Sequence, residues 1–205
     1  MPDAIEAVGI ALAVVDAHEL DEAARACLRP GERLAARDGV EHRLPRWFYR
    51  VDSREEARAT RLAEHFTLAE LLEVDVREAA RARTYPRYVP CAVVLLAAHL
   101  ELLRQAAGTF VFVSANGGYR SPGHRLSVHA SPHCWGTAAN VYRIGDELLD
   151  TRERIERWAA LAIRVAPGLW ARPWGGGPGE ADDHLHLDLG YLVVTPRERE
   201  EEGCP

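Results

Sequence analysis

PCAVVLLAAHLELLRQAAGTFVFVS, running from Pro90 to Ser114, decides the fold class. A proline stands at its head and Gly108 closes a segment that is apolar almost all round, the asymmetry of a helix buried at the centre of a core. Directly after the glycine, Thr109 to Ser114 turns β-branched and aromatic and stays short, which predicts a buried strand. Downstream, Asn116-Gly-Gly118 marks a turn, and residues 119 to 136, with Pro, Gly, Ser and three His, read as a long loop. Thr137 to Arg143 reads as a second strand, and Asp150 to Val165 as an amphipathic helix with Asp150 as its N-cap. Gly175 to Gly179 reads as a flexible loop, and His184 to Val194 as a third strand. Upstream the pattern is mainly helical. Ser53-Arg-Glu-Glu56 has the spacing of a capping box and opens a helix to about His65, and Thr67-Leu-Ala-Glu70 repeats the signal for a shorter one. The expectation is an α+β fold, with helices packed on a small, mostly antiparallel sheet.

Composition bounds the function classes. The 205 residues carry 25 basic side chains, every one an arginine, against 31 acids, for a net charge of -6. A 47% hydrophobic and 27% charged chain of this length suits one globular domain and excludes a disordered one. The mild acidity and the lack of a basic stripe argue against a nucleic-acid partner. The apolar run Val8 to Val15 is about half the length a bilayer requires and follows Asp3 and Glu6, so neither a membrane span nor an export signal is expected. It reads as a buried helix or strand. Cys27, Cys91, Cys134 and Cys204 show no metal-finger spacing, and a reduced, cytoplasmic setting is the default. Residues 1–50 match no pattern and stand as an N-terminal extension of unknown role. Residues 51–205 form the domain, as one compact unit with them.

Five of the nine histidines fall between His124 and His186. His184 and His186 lie two apart on a predicted strand, so alternation puts both rings on one face. Two imidazoles on one face, with a third delivered by the preceding loop, is a common way to assemble a metal site.

Three segments occur in order: Gly118-Tyr-Arg-Ser-Pro122, then Ser131-Pro-His133-Cys-Trp-Gly136-Thr-Ala138-Ala-Asn140, then Asp183-His-Leu-His186. Together they resemble the zinc D-Ala-D-Ala carboxypeptidase family, part of a wider group with bacterial cell-wall endopeptidases and the hedgehog signalling domain. The resemblance covers about Pro90 to Leu192, with His65 to Glu70 similar to an upstream segment of some relatives. It implies a hedgehog-like or D-Ala-D-Ala-peptidase-like scaffold, a single zinc ion and hydrolysis of an amide in a small peptide, one that contains D-amino acids or is related to peptidoglycan. It implies His133 as the first zinc ligand, His186 as the last, and Asp183 as the general base. Arg120 would hold the substrate carbonyl or oxyanion, Ser131 and Tyr119 would bind substrate, and His184 would either support a ligand from behind or steady the transition state.

Asn140 departs from the pattern, which has aspartate there as the second ligand. An amide oxygen is neutral and a poorer donor, so the site holds its metal weakly and does altered chemistry, recruits other ligands, or is silent. A non-catalytic ligand-binding module on the same scaffold is therefore the rival reading. Cys134 is a buried thiol, or a substitute ligand or nucleophile. His124 and His129 read as loop histidines facing water. Trp135, Trp170 and Trp174 read as core or cleft wall. Asp188, on the same strand face as His186, reads as a carboxylate hydrogen-bonding a ligand imidazole, although His133, His186 and Asp188 also satisfy the two-His-one-carboxylate formula of non-haem iron sites. The acidic run Glu198 to Glu202 reads as a solvated end. Oligomeric state is not legible.

Overall fold

The computed structural model describes residues 11–177 and 180–195, and there it is α+β, with six α-helices and three small antiparallel sheets. Residues 1–10, and with them the start of the Val8–Val15 run, lie outside the described residues, as do Cys204 and the run Glu198 to Glu202. In chain order the first half gives β1 (Val14–Asp16), α1 (Glu22–Leu28), β2 (Arg33–Ala35), β3 (Glu41–Arg43), β4 (Trp47–Val51), α2 (Arg54–Ala59), α3 (Leu68–Leu72), α4 (Ala80–Arg83) and β5 (Arg87–Pro90). The second half gives α5 (Val93–Ala107), β6 (Val111–Val113), β7 (Ala138–Ile144), β8 (Glu147–Leu148), α6 (Arg152–Val165), β9 (Trp170–Ala171) and β10 (Leu185–Asp188). The sheets run β1-β4-β5, β2-β3 and β6-β7-β10-β9, with β8 paired to β7.

The long apolar helix is α5, with Leu96, Leu100 and Leu103 fully enclosed and Gly108 closing it in the left-handed conformation at φ 64°. It begins at Val93, because Pro90 closes β5 and pairs with Phe48. Alternation on β7 and β10 then divides the second-half sheet by face. Ala139, Val141, Leu185 and Leu187 enter the main core, into which α5 and α6 also send side chains. Asn140, His186 and Asp188 point to the other face, which the segment between β6 and β7 covers.

Several boundaries differ from the sequence pattern. The first half is not mainly helical: β1 to β5 are there, and β1 and β4 tie residues 14–51 to residues 87–90 in one sheet. The capping box at Ser53 forms, with Glu56 N donating to Ser53 Oγ at 3.0 Å, but α2 stops at Ala59 and the chain turns before His65. The box at Thr67 forms as read. Thr151, not Asp150, precedes α6, because Asp150 is drawn sideways to Arg154 Nη1 at 2.8 Å. The third strand ends at Asp188, since Gly190 takes φ 70° and Gly190 N donates to Asp188 Oδ1 at 2.7 Å. No helix of the described residues is long and apolar enough to cross a membrane.

Candidate metal-ligand site

The antiparallel register of β7 and β10 sets Asn140 directly opposite His186. Asn140 spends its backbone groups on the other side, its N–H on Gly117 O at 2.8 Å and its C=O on Ser114 N at 3.0 Å, while His186 O accepts from Arg172 N at 3.0 Å. The two residues therefore form a pair without mutual backbone bonds, the arrangement that brings facing side chains closest. Asn140 Oδ1 lies 2.8 Å from His186 Nδ1.

His133 comes from a short 3-10 turn, Pro132–Trp135, which Pro132 starts and Gly136 ends at φ 70°. Its ring lies 5.1 Å from that of His186, centroid to centroid, and both residues are almost completely buried. Gly118 O accepts from His133 Nδ1 at 2.8 Å, which fixes the tautomer and leaves Nε2 as a lone pair. Gly118 is required here: a Cβ on it would lie 2.2 Å from Leu71 O. Tyr119 N donates to that same Leu71 oxygen at 2.7 Å, so α3 braces the turn that carries the acceptor for His133.

The ring protons can be followed from the electrostatics. Burial, with the charges of Arg120 and the His186 ring, holds His133 well below the ordinary histidine range, and burial pushes His186 down to about 4. Both are neutral near pH 7. Asp188 Oδ2 lies 2.9 Å from His186 Nε2 and takes the single ring proton as acceptor. His186 Nδ1 is then a lone pair facing the Asn140 amide. Two acceptors 2.8 Å apart repel unless the amide turns its NH₂ inward or a cation stands with them. Two neutral imidazole nitrogens and an amide oxygen, with a carboxylate behind one ring, make a donor set that fits a divalent ion such as zinc.

Positive charge surrounds the set. Arg120 is 8% exposed, donates to no carboxylate among the described residues, and its pKa is pulled down to about 10 by burial. Arg172 follows β9 and faces His186 across the sheet, so Arg172, His186 and Asn140 form one cross-strand row. Of the six buried side-chain polar atoms without a partner among the described residues, three are Arg120 Nε, Arg172 Nε and His184 Nε2. Unpaired buried polar atoms are costly, so each of these three needs a partner from outside the protein, water or another group. His184 Nδ1 donates to Asp183 Oδ1, and Asp183 itself is 81% exposed. Ser131 is half-buried and its hydroxyl bonds nothing among the described residues.

Other candidates fall elsewhere. Tyr119 is turned into the main core with its hydroxyl enclosed. Cys134 is a buried thiol pushed up to about 11 by desolvation, which disfavours the thiolate a nucleophile or ligand requires. His124 is not exposed: it is 2% accessible, accepts from Leu126 N at 3.0 Å and donates to Asn116 Oδ1 at 3.0 Å. Its turn folds inward because Asn116, at φ 58°, offers the buried acceptor. His129 faces water, Trp135 is core, and Trp170 is half-exposed with its ring 6.2 Å from His186. Asp188 sits behind His186, not beside His133, which is the supporting place.

Two residues of the site carried no signal in the sequence. Arg172 depends on the pairing of a two-residue strand. Glu78, 3% exposed, accepts from Ser121 N at 2.9 Å and Ser121 Oγ at 2.6 Å, and so anchors the segment bearing Arg120 from a stretch of no motif. A second group with metal-ligating atoms close together is Glu64, His65 and Glu101. There the buried Glu101 accepts from His65 N at 2.9 Å and His65 Nδ1 at 2.7 Å, a satisfied clamp holding the 61–66 turn to α5.

No protein-family model, curated protein or solved structure matches the chain.

Proposed function

We propose that this protein is a metal-dependent hydrolase of an amide bond in a small peptide, with zinc the ion that the motif resemblance implies. One observation supports the reading: two buried imidazoles lie 5.1 Å apart, an amide oxygen stands 2.8 Å from one of them, and Asp188 holds the outer nitrogen of His186. His133, Asn140 and His186 would hold the ion. When bound, such an ion polarises a carbonyl and lowers the pKa of water. The chain's own groups do the remainder. Asp183, joined to His184, receives the proton of the attacking water. Arg120, buried and without a carboxylate, meets the oxygen on which negative charge develops. Ser131 offers a free hydroxyl to the substrate, and Arg172 sets a second cation in the His186 row where a peptide carboxylate would lie. D-configured or peptidoglycan-related peptides are the substrate class implied by the resemblance, and a cytoplasmic setting would direct the activity to precursors.

A non-catalytic binding module is the second reading, favoured by the neutral Asn140 and by the exposure of Asp183. Two variants separate the readings in metal-reconstituted protein assayed against L- and D-dipeptides. Asp183→Ala should abolish turnover and leave metal content unchanged; loss of metal with activity would make Asp183 a ligand and overturn its role. Asn140→Asp should weaken a working hydrolase adapted to the amide. An inert native chain that gains turnover with the aspartate is instead a binder.

A further inference from the structure

Away from the histidines, a cleft of about 440 Å³ opens between α2, the end of α3 and the start of β5. Four arginines line it: Arg54, Arg58, Arg83 and Arg87. In a chain of net charge -6 this is a local reversal of sign. Arg54, Arg58 and Arg83 are exposed and form no ion pair among the described residues. Arg87 is different in kind. It is only 9% exposed, and no carboxylate or hydrogen-bond acceptor meets its guanidinium among the described residues. Its one close neighbour of note is the Tyr85 ring, 6.0 Å away. Its guanidinium nitrogens are not fully enclosed, so the buried stem presents an unpaired charged fork to the cleft, where an anion can meet it. Two carboxylates also line the cleft and do not fill that role. Glu70 Oε2 is committed to the cap of α3, accepting from Thr67 N at 2.7 Å and Thr67 Oγ1 at 2.8 Å. Glu73 is exposed and pairs with none of the four.

We infer that this cleft binds a phosphate group. Several arginine forks lining one cleft suit a multiply charged tetrahedral anion better than a single carboxylate, because each fork can donate two parallel N–H bonds. The cleft exceeds what one phosphate fills, and Tyr85 and Val74 supply an apolar wall for an organic portion. The ligand is thus a phosphate monoester of a small molecule, or free phosphate, which share the charged group.

Calorimetric titration of the full, chelator-treated chain with inorganic phosphate and with phenyl phosphate tests this. Both should bind with one site per chain. Roughly tenfold tighter binding of phenyl phosphate assigns the site to a monoester, and equal affinity assigns it to the free anion. Arg87→Met should weaken either probe by roughly tenfold or more, and the exposed pair Arg54→Ala with Arg58→Ala, which no core contact depends on, by several-fold. Arg120→Met should leave both affinities unchanged. Absence of binding at millimolar probe overturns the inference. So does binding that survives the Arg54 and Arg58 double variant, or that disappears with Arg120→Met, which would place the anion at the histidine site. Should Arg87→Met fail to fold, the double variant decides alone.

Discussion

At His186 a single proton decides what the site can hold. Asp188 keeps that proton on Nε2, and the lone pair on Nδ1 is turned toward Asn140 as a result. Asp188→Asn removes the anionic acceptor while preserving shape. The ring loses its bias between tautomers, and ion affinity should fall by about 10- to 100-fold. Competition with a chromogenic chelator measures this, and unchanged affinity would show that Asp188 does not set the tautomer. His133→Ala, which removes a proposed ligand outright, should lose stoichiometric binding in the same assay. His186 and Asp188 were legible from the alternation of one strand, whereas His133 and Asn140 were named only by the motif resemblance. Arg172 and Glu78 were not legible at all. Each reaches the site through a pairing made far away in sequence, Arg172 through the register of β9 and Glu78 through the Ser121 backbone. His124 was misplaced for a related reason: its burial depends on Asn116 adopting positive φ, which a run of polar turn residues does not announce.

Among the elements, α3 is small but central. Its Leu71 carbonyl receives Tyr119 N, its exit at Glu73 receives Asn116 N at 2.7 Å, and Gly118 lies against it without room for a methyl group. Because the obstructing atoms are backbone, Gly118→Ala cannot be relieved by a rotamer change. It should cost about 3 kcal/mol or more and displace the acceptor that orients His133. A control in α5 separates stability from site geometry. Leu100→Ala, at a fully buried core position, should cost about 2–5 kcal/mol in urea unfolding and leave ion stoichiometry at one. Equal loss of ion binding in both variants would show that the Gly118 seam has no special bearing on the site. The long elements were readable in sequence: α5, α6 and β7 carry strong periodicity and clear ends. The strands β1 to β5 are three to five residues long, and β1 to β3 are mostly exposed or half-exposed, so no apolar alternation accumulates to betray them. Their pairing across Val51 and Arg87 is a tertiary fact.

For the whole molecule, pH acts on the same buried imidazoles that the proposed function assigns to a metal. Burial lowers the affinity of His124 and, in the metal-free chain, of His133 and His186 for protons. The unfolded chain takes those protons near pH 6.5, whereas folded His186 waits until about 4. Stability is therefore full above pH ~6.5 and falls as pH drops below it, by on the order of 3 kcal/mol from His186 alone. Urea midpoints of chelator-treated protein should decline between pH 7 and 5, before most carboxylates titrate. A flat profile would contradict neutral buried rings. Adding zinc at pH 7.5 should do the opposite, since an ion that binds the folded state alone stabilises it by mass action. At a free concentration about 100-fold above Kd the gain is about 2.7 kcal/mol, which for a chain of this size raises Tm by roughly 5–10 °C. The same addition to Glu101→Gln should give a similar rise, because that clamp already satisfies its own donors. His186→Ala should show no rise. A zinc response that persists in His186→Ala and disappears in Glu101→Gln would move the metal to the 64–101 cluster and leave the paired imidazoles as a packed, ion-free core.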